Sequence, residues 1–282
     1  MQFIDDFYIT LPSNVKAPEF PRNRTSKYVT PLPHTLELEG DWVVGLAELN
    51  YCHSWYNIND GGNHIRYKYI ITNSLDQTKK ISAKKTCSIE PAYYSNEISL
   101  INILNSTRPS ELRGLFKFSE FHKKFQIVLG PSESIGLTKE LATLLGFRRT
   151  KFECNSRSED SSELQCDGAE RYEKESTYLL YTADYVSDLD ANMHSMFIYT
   201  DIIRETLVGN IYAPLLRNVC IVPKRYNYVQ QSYDRIHYEK LISNRINNIE
   251  IKICDSLGQL MKFNFGDIII KIHFKRRRSF LP

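Results

Sequence analysis

At 282 residues the chain is long enough for one large domain or two of ordinary size, since a domain averages roughly 150 residues. A hydrophobic content of 42% with 24% charged residues excludes a disordered chain, and only 12 Gly and 11 Pro exclude a collagenous or low-complexity one. The net charge of +3 is uneven, because residues 153–175 carry −5 and the remainder carries +8. No apolar run approaches the roughly 18 residues that a bilayer span requires, so no membrane partner is expected.

The start of the chain and the cysteines indicate an intracellular protein. The acidic segment Met1–Asp6 lacks the apolar core of a secretory signal. The six Cys are dispersed, with no C-x-x-C pair, which predicts reduced thiols.

The first third of the sequence predicts strands. Phe7, Ile9 and Leu11 alternate with polar residues, as in a half-buried strand. The Pro-rich stretch 12–33 must then run along a surface or a sheet edge. Trp42–Leu49 is apolar on both faces except at Glu48, which is expected inside a sandwich or where another subunit covers the strand.

The period changes after Cys87, and the middle of the chain predicts a small α+β insertion. Ile98, Ile101 and Leu104 recur at helical spacing, and Pro109 ends that helix. A hairpin and a second helix follow, namely Phe116–Phe118 with Lys124–Leu129, and a helix from the N-cap Thr138 to the terminating Gly146. We therefore expect a helix–hairpin–helix insertion at 91–150, followed by an acidic exposed loop at 151–176.

The C-terminal third returns to strands. These are, in order, Met196–Asp201, the alternating Ile249–Cys254, a type I turn at Asp255–Gly258, then Leu260–Phe265 and Ile268–Phe274. The fold class predicted is mainly β, an antiparallel β-sandwich of jelly-roll type built from residues 1–90 and 177–282 around the insertion.

The sequence contains none of the common phosphate-binding, zinc-protease or hydrolase motifs. Cys52-His53 could be drawn as a nucleophile and base, but adjacent strand residues point to opposite faces. Asp188-x-Asp190-x-Asn192 begins like a calcium loop, but Met193 stands where Gly is needed, so a polar turn is favoured. We expect no enzyme activity, no cofactor and no metal.

A basic run at the C-terminus is the stronger signal. Lys275, Arg276, Arg277 and Arg278 directly follow the last predicted strand. Such a run can neutralise phosphates with salt-dependent, sequence-independent affinity. It can equally be a solvated terminus or a nuclear-import signal.

Several blocks resemble one protein family. They are Phe7–Asn14, Phe20–Pro33, Leu36–Glu48 with Leu38, Gly40, Asp41, Trp42 and Gly45, Trp55–Ile58, Tyr93–Ser95, Leu141–Phe147 with Gly146 and Phe147, Tyr199–Gly209, Pro214–Val219 and Ile249–Arg277. Together these blocks resemble the minor capsid (penton) protein of Polinton/Maverick elements and the related adintoviruses. The Leu-Glu-Gly-Asp-Trp block, Leu38–Trp42, is the most specific, whereas Cys52-His53 and the acidic loop depart from the family pattern.

The resemblance implies a structural virion protein. Five copies would surround each fivefold vertex of an icosahedral capsid, as a homopentamer that fills the hole left by the major capsid protein. It also implies assembly inside the host cell, in the nucleus or the cytoplasm, with packaged double-stranded DNA as a partner of the basic tail.

Other functions remain open on sequence grounds. A jelly-roll binding module, such as a receptor- or carbohydrate-binding head, would need no assembly. A basic DNA-binding protein would depend on the tail at 275–278. Trp42 is expected in the core rather than in a subunit contact.

Overall fold

The structure, a computed structural model of the chain, describes residues 5–72, 80–154, 169–173, 176–190, 193–222 and 228–277. The chain divides into two units. Unit 1 comprises residues 1–55 and 193–282, and unit 2 comprises the inserted residues 56–192.

The elements follow one another in three groups along the chain. The first part of unit 1 holds β1 (Asp6–Pro12), β2 (Lys27–Glu37) and β3 (Trp42–Cys52). Unit 2 holds β4 (His64–Thr72), β5 (Lys80–Ser88), α1 (Glu97–Ser106), β6 (Leu115–Ser119), β7 (Lys124–Leu129), β8 (Ser134–Leu137), α2 (Lys139–Leu144), β9 (Lys151–Glu153), β10 (Ala169–Glu173) and β11 (Ser176–Thr182). The second part of unit 1 holds β12 (Ser195–Thr200), β13 (Thr206–Val208), β14 (Ile211–Ala213), β15 (Leu215–Cys220), β16 (Tyr228–Ser232), β17 (Glu239–Lys240), β18 (Arg245–Cys254) and β19 (Ile269–Arg276).

Eight strands of unit 1 pair in a nested order. Strand β1 pairs with β19, β2 with β18, β3 with β16, and β12 with β15, all antiparallel. Further pairs, β19 with β3 and β12 with β18, join them into two sheets of order β1-β19-β3-β16 and β15-β12-β18-β2. First-with-last nesting of eight strands in two sheets is the jelly-roll arrangement. The predicted fold class is confirmed.

The core of unit 1 is formed by the facing sides of these two sheets. Each sheet contributes a row of alternating aliphatic and aromatic side chains that are fully buried, among them Leu46, Ile272 and Phe274 from one sheet and Ile198 and Ile251 from the other. Alternation puts every second residue into the core, as a strand of period two requires. Burial of this apolar surface is the main term that stabilises the sandwich.

The outer face of β3 is covered by the chain itself. Val43 and Ala47 are 6% exposed, although the alternating Val44 and Leu46 already face the core. The segment 233–240 crosses this face, where the Tyr233 amide donates to the Ala47 carbonyl at 2.9 Å and β17 pairs with β3. The doubly apolar pattern of β3 therefore reflects an intrachain cover.

Two predictions for unit 1 strands have different outcomes. Strand β2, which contains Pro31 and Pro33, lies at a sheet edge as the prolines predict. The predicted strand Leu260–Phe265 is wrong, since this segment makes only an isolated bridge at Leu260. Its backbone binds a side chain instead, because the Ser54 hydroxyl donates to the Phe265 carbonyl at 2.7 Å.

Unit 2 has its own core between two four-stranded sheets and two helices. The sheet orders are β5-β4-β8-β9 and β10-β11-β7-β6. Buried side chains from both sheets and both helices form a single apolar cluster, including Tyr67, Ile135, Leu104, Leu141 and Phe125. Unit 2 is thus an α+β unit with an independent core.

Both predicted helices exist, and of the three residues predicted at helical spacing in α1, Leu104 is buried, Ile101 packs against the core of unit 2 and Ile98 is exposed. Asn96 is the N-cap of α1 and accepts from the Ser99 amide at 2.8 Å. Leu100 and Leu104 are buried, whereas Ile98 is 62% exposed. Leu100 and Leu104, four residues apart on one side of the helix, therefore make the main packing contacts of α1.

The division between the units differs from the predicted boundaries, which fall at 90/91, 150/151 and 176/177. Strand β4 pairs with β8, and β11 pairs with β7, so 56–90 and 177–182 share sheets with the predicted insertion. The segment predicted as an acidic loop contributes β9 and β10, while 155–168 and 174–175 lie outside the described residues. Periodicity identifies a strand but not the sheet that it joins.

A buried carboxylate in unit 2 generates a prediction. Glu133, 6% exposed, accepts from three backbone amides, those of Arg113 at 2.7 Å, Gly114 at 2.9 Å and Gly130 at 2.7 Å. Glu133→Ala leaves these N–H groups without their acceptor, so we expect a loss of about 3 kcal/mol in unfolding free energy. Chemical denaturation measures it. The exposed Glu120→Ala should change stability by less than about 0.5 kcal/mol, and equal effects for the two would contradict the assignment.

Candidate interaction surfaces

The basic run begins as the end of a strand. Lys275 and Arg276 complete β19, where Arg276 pairs with Trp42. The Arg276 amide donates to the Asp5 carbonyl and the Arg277 amide to the Asp41 carbonyl, both at 2.8 Å. The first three basic residues are therefore fixed by backbone bonds, and Arg278 lies outside the described residues.

Acidic groups surround this strand end. The Arg277 guanidinium lies 3.8 Å from the Asp41 carboxylate, with both side chains more than half exposed. The neighbouring surface forms a shallow depression of about 840 Å³. It is lined by Asp5, Asp6, Val43, Tyr238, Glu239, Lys240, Lys275, Arg276 and Arg277. Exposed pairs of this kind contribute little stability. The surface has mixed charge, and nucleic-acid binding by the tail stays a prediction.

The Leu-Glu-Gly-Asp-Trp block meets the basic run at this strand end. Gly40 has φ +97°, and a Cβ there would stand 3.1 Å from the Arg276 Nε. Leu38 and Trp42 are buried at 7% and 6% exposure, and the Trp42 indole N–H donates to the Glu39 carbonyl at 3.0 Å. The block thus shapes the turn into β3, and Trp42 lies in the core as expected.

Gly45 and Gly146 are both required by close backbone approaches. A Cβ on Gly45 would stand 2.3 Å from the His237 carbonyl oxygen in the covering segment. In unit 2, Gly146 has φ +85° and ends α2, with its amide donating to the Thr143 carbonyl at 3.0 Å and the Phe147 amide to Ala142 at 2.8 Å. These two bonds form a Schellman cap. Phe147, 4% exposed, packs in the core of unit 2.

The candidate nucleophile pair Cys52-His53 is buried. Cys52 is 2% exposed, and burial raises the pKa of its thiol, which disfavours the thiolate nucleophile. His53 is 4% exposed and its ring centroid lies 3.9 Å from that of Trp55.

Asp188 and Asp190 of the calcium-like segment lie with His194 in a group whose possible ligand atoms are all within 4.8 Å of one another. Asp190 accepts from the Tyr93 hydroxyl at 2.7 Å, while Asn192 lies outside the described residues.

A hairpin that the sequence analysis missed exposes apolar side chains. Strands β13 and β14 pair only with each other within the described residues. Gly209, with φ +62°, is the first central residue of their two-residue turn, a position that Gly favours in a type II′ turn. Leu207, Ile211 and Tyr212 are 65%, 57% and 71% exposed. The Gly209-Asn210 pair between apolar residues was the signal that could have located this hairpin.

A second apolar patch lies on unit 1. Tyr228 is 68% exposed and Phe265 is 49% exposed. They lie close together, since the Tyr228 hydroxyl is 3.6 Å from the position that a Cβ on Gly266 would take. We call Leu207, Ile211 and Tyr212 the hairpin patch, and Tyr228 with Phe265 the aromatic patch.

Comparison with known proteins gives structural likenesses. The fold resembles the mavirus penton protein with a TM-score of 0.49 and 14% identity, covering 95% of this chain and 99% of that one. It also resembles a structure of the Sputnik virophage with a TM-score of 0.46 and 7% identity, covering 97% and 98%. No family model and no curated protein matches the sequence.

Within the described residues, no helix has the length and apolar character to cross a bilayer.

The close approach at Gly45 predicts a large packing defect. Gly45→Ala places a methyl group against the His237 carbonyl, so we expect a loss of about 3 kcal/mol in the unfolding free energy of unit 1. Gly209→Ala has open space at its Cβ and should lose only about 1 kcal/mol through its positive φ. Denaturant titration compares the two variants. Equal losses would show that the covering segment does not pack on β3.

Burial predicts the order of thiol alkylation. Cys220 is exposed, whereas Cys52 and Cys254 are buried and burial raises the pKa of both thiols. In native protein, iodoacetamide followed by peptide mass mapping should therefore label Cys220 before Cys52 and Cys254, and Cys52 only on unfolding. Rapid native labelling of Cys52 would revive the nucleophile hypothesis.

Proposed function

We propose that this chain is a minor capsid (penton) protein whose homopentamers form the fivefold vertices of an icosahedral virus capsid. The observation that carries the proposal is the complete nested pairing of eight strands in unit 1. Jelly rolls of this kind build viral capsids, but they also occur in lectins and cupins. Fold alone does not define function, so the exposed surfaces and the sequence resemblance must supply the rest.

The apolar patches support a ring. A closed ring of identical subunits uses heterologous contacts, in which two different surfaces of each subunit meet. Unit 1 offers two such surfaces in the hairpin patch and the aromatic patch. A two-stranded hairpin alone is marginally stable in water, so packing against a neighbour would stabilise β13 and β14. Exposed aromatic residues such as Tyr212 and Tyr228 are frequent anchors of protein interfaces.

The basic residues at the end of β19 support an orientation in which this end of unit 1 faces the interior of the capsid. Lys275 and Arg276 form the end of β19, where Arg276 lies opposite Trp42 at the start of β3. We infer that Lys275–Arg278 faces packaged double-stranded DNA, where each cation would add salt-dependent affinity. The major capsid protein is the proposed partner around the vertex, and the virion is the proposed location.

Mass in solution tests the assembly. A pentamer has a mass of about 165 kDa, five times the 32.9 kDa of the chain. Light scattering over a concentration series at two salt levels should give this mass, either for the protein alone or after addition of the major capsid protein. A chain that stays monomeric and never enters particles would contradict the penton proposal and favour a jelly-roll binding module.

Substitutions in the hairpin patch test the proposed contact. Leu207→Ser with Tyr212→Ser should weaken pentamer formation by at least tenfold in the dissociation constant, because losing an aromatic anchor costs about 2 kcal/mol or more. Leu257→Ser, at an 81% exposed turn residue of the same unit, is the matched control and should leave the mass unchanged. Circular dichroism confirms that both variants fold. A hairpin variant that still forms pentamers would place the contact elsewhere.

A further inference from the structure

One face of unit 2 concentrates positive charge, with Glu153 as the single acid among its described outward residues. In the sheet β5-β4-β8-β9, Ile65, Tyr67 and Tyr69 point into the core, so His64, Arg66, Lys68 and Ile70 point outward. Arg66 and Lys68 are exposed, as is Lys84 on β5 and Lys151 on β9. We call the outer surface of these four strands the cationic face.

The register brings the cations together. Lys68 is directly opposite Lys84, and Arg66 and Lys151 both lie beside Gly136 of β8, on either side of it. Opposite residues are about 5 Å apart and alternate residues along a strand about 7 Å apart. Like charges directly opposite each other destabilise a sheet. Within the described residues no ion pair involves Arg66, Lys68, Lys84 or Lys151. Four such cations at this spacing favour a bound polyanion.

The shape and the polar groups of the cationic face narrow the ligand class. Its centre is a depression of about 550 Å³, whose lining includes the hydroxyl residues Thr86 and Ser134 and one acid, Glu153. Gly136 leaves the floor without a side chain. Hydroxyls and a carboxylate can bind the hydroxyl groups that a polysaccharide carries between its anionic groups.

Nucleic acids fit the cationic face less well. Among the described outward residues of the four strands no Phe, Tyr or Trp occurs, so single-stranded bases would have no aromatic stacking platform. A four-stranded sheet face is also wider than the helix or two-stranded ribbon that enters the major groove of a duplex.

We propose that the cationic face of unit 2 binds an acidic polysaccharide, with Arg66, Lys68, Lys84 and Lys151 contacting its sulfate or carboxylate groups and Thr86, Ser134 and Glu153 contacting sugar hydroxyls. This activity is separate from pentamer formation, which the proposal places on unit 1. It gives the chain a ligand-binding surface in addition to its proposed role in the shell.

The test uses the full chain, with a size-defined heparin oligosaccharide as the probe and calorimetry over a salt series. Arg66→Gln with Lys68→Gln and Lys84→Gln should lower affinity at least tenfold. It should also flatten the slope of log K against log salt by about 2, since each charge contact contributes roughly 0.7–0.9. The matched control, Arg113→Gln with Lys123→Gln and Lys139→Gln, removes three exposed cations elsewhere in unit 2 and should change affinity less than about twofold.

A single substitution separates binding from stability. Lys68→Glu places a carboxylate opposite Lys84, so it should raise the melting temperature while it lowers heparin affinity. A cation with a purely structural role would not produce opposite changes. Melting by circular dichroism and calorimetry on the same sample measure both.

Further variants and control ligands identify the ligand class and the binding site. To keep the two basic surfaces apart, the triple Gln substitution is also made in a chain that carries Lys275→Ala, Arg276→Ala and Arg277→Ala, and neutral dextran should not bind. Unchanged heparin binding after the triple Gln substitution would overturn the proposal. Tighter binding of a duplex DNA than of heparin at equal salt would overturn the ligand class. Mass measured on the same samples keeps the two proposals distinct, because heparin binding does not depend on the pentamer.

Discussion

The structure depends most on the position of β19 between β1 and β3. Ile270, Ile272 and Phe274 of this last strand are fully buried, and its two neighbours are the first and third strands of the chain. The sheet therefore cannot form until nearly the whole chain is present, and its contacts span more than two hundred residues. Such non-local pairing requires loop closure before burial of apolar surface can offset its entropy. The backbone bonds that anchor Arg276 and Arg277 and the turn around Gly40 complete the same sheet.

Nested pairing also explains why unit 2 can be inserted after β3. The next strand, β12, belongs to the other sheet, so the connection from β3 to β12 contributes no strand to either sheet of unit 1. The inserted residues must then supply their own apolar core, and they do so with two sheets, two helices and the buried Glu133 that binds three amides. Each unit thus satisfies its own backbone hydrogen bonds and apolar burial. The two proposals use this division, since pentamer contacts are proposed on unit 1 and ligand binding on unit 2.

Charge is distributed between the units in two different ways. At the end of β19 the cations are mixed with Asp5, Asp6 and Asp41, and Arg277 has an acidic partner. On the cationic face of unit 2, Lys68 and Lys84 lie opposite each other, and neither has an acidic partner among the described residues. A basic run is easy to see in a sequence because its members are contiguous. The cationic face is assembled from three separate strands, and its members lie up to 85 positions apart.

The sequence by itself determined the elements whose signals are local. Alternation located β1, β18 and β19, a segment apolar on both faces located β3, prolines placed β2 at an edge, and Gly146 marked the end of α2. The resemblance of the Leu-Glu-Gly-Asp-Trp block directed attention to Gly40 and Trp42, but their contact with the β19 end was visible only in the structure. Leu260–Phe265 has the composition of a strand, yet Ser54 takes the backbone bonds that a neighbouring strand would need.

Tertiary structure alone decided which strands share a sheet, where unit 2 begins and which cations face one another. Hydrophobic periodicity indicates which residues are buried but not which element they pack against, because one apolar face can pack against any other apolar face. Partner choice depends on register and loop closure across the whole chain. The cationic face arises from that choice, because the register of separate strands brings its cations together.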